Sequence, residues 1–107
     1  MTYIEKNIAI DLIKISVKEL IPESTIILFG SRARNDYSHL SDYDILVVTK
    51  KTYNIKKKRE LKSKLRQMLA EHKIPTDIII HSESEILSKK ELKGHIVHYA
   101  LNEGIIL

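Results

Sequence analysis

Two aspartates flanking a single residue, Asp42 and Asp44, stand at the head of the apolar run "YDILVV", and ten residues upstream of them lies the pair Gly30-Ser31. A core strand gains nothing from paired carboxylates, because like charges repel and burying them is costly. On an extended strand, residues i and i+2 point to one side. Asp42 and Asp44 therefore face the same way, with α-carbons about 6.5–7 Å apart. Near the start of a strand their carboxylates can converge on one divalent cation, and hard oxygens of this kind suit Mg²⁺. The cation also converts mutual repulsion into shared attraction. A third acid, Asp77, begins another apolar strand, "TDIIIH". If the two strands are neighbours, their spacing of about 4.8 Å lets Asp77 reach the same centre. Three aspartates on adjacent strands could hold two ions about 3.5–4 Å apart, the arrangement used for in-line displacement at phosphorus.

Gly30 and Ser31 supply the other half of such a site. A glycine at a strand exit lets an anion approach the backbone closely. Ser31 can donate its hydroxyl, and the amides that follow open a helical turn aimed at the anion. Arg32 and Arg34 add positive charge, and the planar guanidinium fork suits phosphate oxygens. The spacing reads as a triphosphate held on one side and a metal on the other.

The elements that must position these groups follow from periodicity and turn signals. Residues 4–20 read as a helix with a wide apolar face, one stripe formed by Ile8, Leu12 and Ile15 and another by Ile13, Val17 and Leu20. Pro22 ends it. Residues 24–29, "STIILF", read as a buried strand, and Ser31–Arg34 as one helical turn with Ser31 as its cap. "DYSHLSD" is a polar loop. "YDILVVT" is the second strand, apolar at every position from Ile45 to Val48, so both of its faces are covered. Residues 54–72 read as a second long helix with Leu61, Leu65, Met68 and Leu69 inward. After Pro75 comes the third strand, Thr76–His81. Ser82 then caps a short helix, with Glu85 three residues on as in a capping box. A final helix covers residues 92–102, with Gly104 as its stop. This α-β-α-β-α-β-α order predicts a small α/β domain, helices packed on one sheet of three or four strands.

Bulk properties agree. A chain of 107 residues suits a single domain, residues 1–107, with a small core and little room for a deep pocket of its own. There is no cysteine, hence no disulfide framework, which fits a cytoplasmic location. The first residues, "MTYIEKNIAIDLIK", are too broken by charge for a signal peptide. No apolar run approaches the ~18 residues of a membrane span. The formal charge of +4 favours anionic partners only weakly. Much of it sits in "NIKKKRELKSKLRQ", which reads as the solvated face of an amphipathic helix. The sharper alternative is a landing strip for nucleic acid or an acidic protein. No aromatic side chains interleave there to stack on bases, which argues against a single-strand binder, and direct nucleic-acid binding is not expected.

The stretch "GSRARNDYSHLSDYD" resembles the nucleotidyltransferase signature of the DNA polymerase β-like superfamily, Gly-Ser, ten residues, then Asp-x-Asp. It is most similar to the minimal nucleotidyltransferases, and the likeness runs from the opening helix through "TDIIIH" to the closing "HYALNEGIIL". The resemblance implies a small nucleotidyltransferase-type domain with a mixed sheet of three to four strands. It implies nucleotide phosphates on Gly30 and Ser31, metal on Asp42 and Asp44, and Asp77 as third acid and general base. Asn35 stands where the family often has glycine, and asparagine tolerates a left-handed backbone. Many such proteins are antitoxins paired with a HEPN-domain ribonuclease toxin. The implied activity is Mg²⁺-dependent transfer of AMP from ATP to a tyrosine of that toxin. A chain this small has no acceptor pocket of its own, so a partner must bring the acceptor. The alternatives are an antitoxin that acts by binding alone, and transfer to a small molecule such as an aminoglycoside, which would need a dimer. A homodimer or a hetero-oligomer with the toxin is compatible with the wide apolar face of the first helix.

Other residues carry weaker signals. His95 and His98, three apart, read as ordinary histidines because no third ligand is apparent. His81 shares the facing of Asp77 and is a candidate supporting contact. Asp36 and Tyr37 are candidate loop contacts to nucleotide or partner. Tyr43 alternates to the face opposite the aspartates and is expected to pack.

Overall fold

The computed structural model describes residues 3–38, 40–89 and 96–107. The elements are α1 (Tyr3–Leu20), β1 (Thr25–Phe29), α2 (Gly30–Arg34), β2 (Tyr43–Thr49), α3 (Ile55–Ala70), β3 (Thr76–Ser82), α4 (Glu83–Lys89), α5 (Ile96–Glu103) and β4 (Ile105–Ile106). The four strands form one sheet in the order β3-β2-β1-β4. β1 runs antiparallel to β2 and to β4, and β2 runs parallel to β3. The sheet is therefore mixed, as expected, and the fourth strand comes from the C-terminal residues. The parallel pair β2/β3 is joined through α3, as a parallel pair requires.

Both faces of the sheet are covered, which is why β1 and β2 read as continuous apolar runs. On one face Ala9, Ile13 and Val17 of α1 and Leu61, Leu65 and Leu69 of α3 close over Ile26, Leu28, Tyr43, Ile45, Val47, Ile78 and Ile80. On the other, Ile27, Phe29 and Leu46 pack with Ala100 of α5, flanked by Val48, Ile79 and Ile86. Tyr43 is buried among the first set, on the face away from the aspartates, as alternation requires. Of the two stripes on α1, only the one through Ile13 and Val17 is buried, while Ile8 and Ile15 are exposed. A helix laid on a sheet buries about 100° of its circumference, and Ala9 and Ser16 complete the buried arc instead. Met68 is likewise only partly covered.

Helix ends follow their chemistry. α3 starts one residue later than expected because Asn54 is its cap, its Oδ1 accepting from the Lys57 amide at 2.8 Å. It closes two residues earlier, in a Schellman turn. The Ile74 amide donates to Leu69 O and the Lys73 amide to Ala70 O, both at 3.0 Å, with Lys73 at φ 59°. The Ser82/Glu85 capping box forms reciprocally. The Ser82 amide donates to Glu85 Oε1 at 2.9 Å, and the Glu85 amide to Ser82 Oγ at 3.2 Å. The last helix is described from Ile96 to Glu103; residues 92–95, with His95, and the His98 side chain lie outside the described residues. Gly104 ends this helix, its amide reaching Ala100 O at 2.9 Å. Close packing makes it glycine, since an added Cβ would lie 2.3 Å from Ile27 Cγ2. Among the described residues, no helix is long and apolar enough to cross a membrane.

Candidate active site

The sheet register sets the geometry. Asp44 pairs with Asp77 across the parallel β2/β3 ladder, and with Phe29 across the antiparallel β1/β2 ladder. The two carboxylate-bearing residues are thus direct neighbours on one face, and the turn that follows Phe29 passes over Asp44. Gly30 makes that passage possible. Its φ is +72°, and a Cβ built there would lie 2.1 Å from Asp44 Oδ2. No other residue fits both the backbone and the space. α2 then runs from Gly30 to Arg34, preceded by extended Phe29 with no side-chain cap. Ser31 is inside the turn rather than its cap. Asn35 ends the turn at φ 64°, the left-handed conformation that asparagine tolerates.

A cavity of about 490 Å³ opens here, lined by Phe29, Gly30, Ser31, Arg34, Asp44, Asp77 and Glu103. Five of the residues singled out in the sequence (Gly30, Ser31, Arg34, Asp44 and Asp77) are brought together in it. Asp42, exposed just before β2, fronts a neighbouring cavity of about 410 Å³ with Arg66, Ala70, Lys73, Ile74, Pro75 and Thr76. Arg66 reaches from α3 to within 3.9 Å of Asp77. Among the described residues, no three acids or histidines converge closely enough to hold a metal ion. The donor chemistry nevertheless fits a hard cation. The Asp44 carboxyl is pushed above its usual range by burial, and then by the charges of Asp77 and Asp42, with Arg34 pulling against them. Three carboxylates repelling one another at one sheet edge are the arrangement that a divalent ion relieves.

Arg32 is placed differently from the expectation that it faces phosphate. It is 2% exposed. Its guanidinium lies between the rings of Tyr37 and Tyr43, 4.3 Å from each centroid. Nε and Nη2 donate to Ser41 O at 3.3 and 3.0 Å. It ties the residue before Asp42 to the core, and so positions the acid rather than meeting the anion. Tyr37 is part of this stack rather than a surface contact. Asp36 pairs with Arg34, Oδ2 to Nε, at 3.1 Å. His81 lies beside Lys58 and Glu85, four residues along β3 from Asp77, and supports α4 rather than the aspartates.

Glu103 is the residue that sequence reasoning missed. Its Oε1 accepts from the Gly30 amide at 3.2 Å, and its two oxygens accept from Arg34 Nη1 at 3.2 and 3.3 Å. The antiparallel β1/β4 register pairs Leu28 with Ile105, and continuing it by two residues sets Glu103 opposite Gly30. No local signal in the sequence links positions so far apart.

Residues 11–107 match the family described as Polymerase beta, Nucleotidyltransferase. A Methanocaldococcus jannaschii protein, provisionally named protein adenylyltransferase MJ0141, is 34% identical over 80 residues, covering 75% of this chain and 74% of that one. Two solved structures share the fold. A chain of a toxin–antitoxin assembly crystallised with AMP-PNP superimposes with a TM-score of 0.62 at 22% identity, over 90% of this chain and 69% of that one. A chain of the complex between the tri-AMPylated Shewanella oneidensis HEPN toxin and its MNT antitoxin gives 0.61 at 20% identity, over 94% and 70%. With the Gly-Ser turn resting on one aspartate and a second aspartate beside it, the chain belongs to the polymerase beta nucleotidyltransferase family and is an enzyme of nucleotidyl transfer.

Proposed function

We propose that this protein transfers AMP from ATP to a tyrosine hydroxyl of a HEPN-domain toxin and is the antitoxin of that pair, acting in the cytoplasm. The observation that carries the reading is the pairing of Asp44 with Asp77 under the Gly30 turn, in a cavity that Arg34 also lines. The acceptor and partner rest on the relatives. One is named for protein adenylylation, and the structural neighbours include a HEPN toxin carrying AMP groups.

In this reading the Gly30 amide, the Ser31 hydroxyl and Arg34 bind the triphosphate. Asp42, Asp44 and Asp77 would hold Mg²⁺, two ions in this reading. Bound there, Mg²⁺ supplies Lewis-acid polarisation of the phosphoryl oxygens. Asp77, an exposed acid of the site with Arg66 3.9 Å away, takes the proton of the acceptor phenol. The phenolic oxygen forms a bond to the α-phosphorus as the bond from that phosphorus to the bridging oxygen breaks. Pyrophosphate leaves with its negative charge facing Ser31 and Arg34. Arg32 holds the loop that carries Asp42 in register with this chemistry.

The test is label transfer from α-labelled ATP to the toxin encoded beside this protein. Asp42→Ala and Asp77→Ala variants should abolish it, and undiminished transfer by either would defeat the assignment. An Asp42→Asn/Asp44→Asn variant that still protects cells as well as the parent would mean that neutralisation proceeds by binding alone.

A further inference from the structure

The nucleotide cavity contains a carboxylate that holding a metal between β2 and β3 does not require. Its lining carries one cation, Arg34, against three acids, Asp44, Asp77 and Glu103. Glu103 engages both groups that the triphosphate needs on this side, the Gly30 amide and the Arg34 guanidinium. A carboxylate and a phosphate offer such donors the same chemistry, anionic oxygens that accept from an amide and from a planar fork. The single Gly30 N–H and the Arg34 Nη1 face are both taken by Glu103, so a phosphate seated on them must displace it, and a polyphosphate entering beside an ionised Glu103 meets direct charge repulsion. Glu103 is also free to leave. It is the last residue of α5, and its side chain is 29% exposed.

We propose, on the footing that this cavity is the nucleotide site, that Glu103 is an internal stand-in for nucleotide phosphate. It occupies the Gly30 amide and Arg34 when the site is empty of nucleotide, and must swing out before the triphosphate seats. Glu103 thereby sets the affinity of the site for polyphosphate, while the adenosine portion is indifferent to it. It keeps Arg34 aimed into the cavity between turnovers and charges each binding event for its own displacement. This role is distinct from that of a metal-binding or phosphate-supporting acid, whose loss would weaken nucleotide binding.

The experiment compares the parent with Glu103→Gln in calorimetric titrations with inorganic triphosphate, a non-hydrolysable ATP analogue and adenosine, all with Mg²⁺ at one fixed concentration. Glutamine keeps an acceptor for the Gly30 amide and removes the competing charge. The expected result is about three- to tenfold tighter binding of triphosphate and of the ATP analogue, with adenosine unchanged. In turnover with the partner, KM for ATP should fall by a similar factor with little change in kcat. Glu103→Asp, whose shorter carboxylate spans the two donors less well, should lie between parent and Glu103→Gln. Parent binding that Glu103→Gln leaves equal or weaker overturns this inference alone. Failure of both proteins to bind triphosphate or the analogue overturns it together with the assignment of the cavity.

Discussion

Gly30→Ala probes the contact on which the site is built, and its cost has two separable parts. The backbone at φ +72° would put an alanine in the left-handed region, at about 1–2 kcal/mol. The new Cβ would lie 2.1 Å from Asp44 Oδ2, more than an ångström inside ordinary contact, and 3.0 Å from its Cγ. Moving that half-buried carboxylate aside costs about 1–3 kcal/mol, as for other overpacked sites. Together the two parts lower stability by about 2–5 kcal/mol, or roughly 8–20 °C in melting temperature for a domain of this size. Displacing a reacting-site carboxylate by about an ångström should also slow AMP transfer about 100-fold. The assay is thermal unfolding of four proteins (parent, Gly30→Ala, Asp44→Ala and the double variant) with label transfer measured on the first two. In the Asp44→Ala background the clash is gone, so Gly30→Ala should cost only the backbone part of about 1–2 kcal/mol. Equal costs in the two backgrounds would show that the close approach is not the source of the penalty. Parental melting and transfer in Gly30→Ala would refute the reasoning entirely.

Other perturbations follow from the same geometry. Asp44 holds its proton more readily folded than unfolded, because burial and then Asp77 and Asp42 raise its carboxyl. Ionising it therefore costs folded stability as pH rises above the usual carboxylate range. Asp44→Asn should accordingly raise the melting temperature of the metal-free protein at pH 7 by about 2–4 °C and lose any Mg²⁺-induced shift; a lower melting point than the parent's would contradict this. Burial pushes the Glu85 carboxyl up, but Lys58 and the Ser82 amide outweigh it and hold it at about 2. Its contribution, on the order of 2–3 kcal/mol, is complete above the unfolded value of 4.5 and disappears as pH falls through about 2. Acid titration of stability should show a shallower limb between these values in Glu85→Gln, and an unchanged limb would remove Glu85 from the account. Arg32→Lys removes the planar group between Tyr37 and Tyr43 and its fork on Ser41 O. It should cost about 2–3 kcal/mol, read as a lower melting temperature. Lys73→Gly relieves a left-handed lysine at the end of α3, so chemical denaturation should show a gain of about 0.5–1 kcal/mol.

What was legible in the sequence is what local physics decides. The two-residue repeat of a strand places Tyr43 on the face opposite Asp44 without knowledge of neighbours, whereas Asp42 precedes β2 and fronts the neighbouring cavity. The unbroken run Ile45–Val48 announces helices on both sides. The Ser82/Glu85 box, the Asn35 turn and the end of α5 at Gly104 depend on residues within a few positions of one another. What could not be read depends on parts of the chain that meet only after folding. An arginine two residues after a Gly-Ser pair looks like a phosphate ligand. Arg32 turns inward because Tyr37 and Tyr43 offer it two ring faces and Ser41 a carbonyl. Ile8 and Ile15 look as apolar as Ile13 and Val17, and only the sheet decides which stripe it covers. Glu103 reaches Gly30 through the β1/β4 register, set by a two-residue strand with no signal of its own.

The charge at the sheet edge has a consequence for the order in which ligands arrive. In the free protein, Arg34 is engaged by Glu103 and Asp36, while Asp44 feels burial and two like charges at once. On the proposed function, the cation and the nucleotide each remove what keeps the other out. Asp44 and Asp77 would hold a divalent ion whose charge offsets the negative field that repels triphosphate, and bound triphosphate would in turn add negative charge that favours the ion. Linkage makes such assistance mutual: whatever factor the metal adds to nucleotide affinity, the nucleotide adds to metal affinity. On that reading the cavity would favour nucleotide and metal together over either alone.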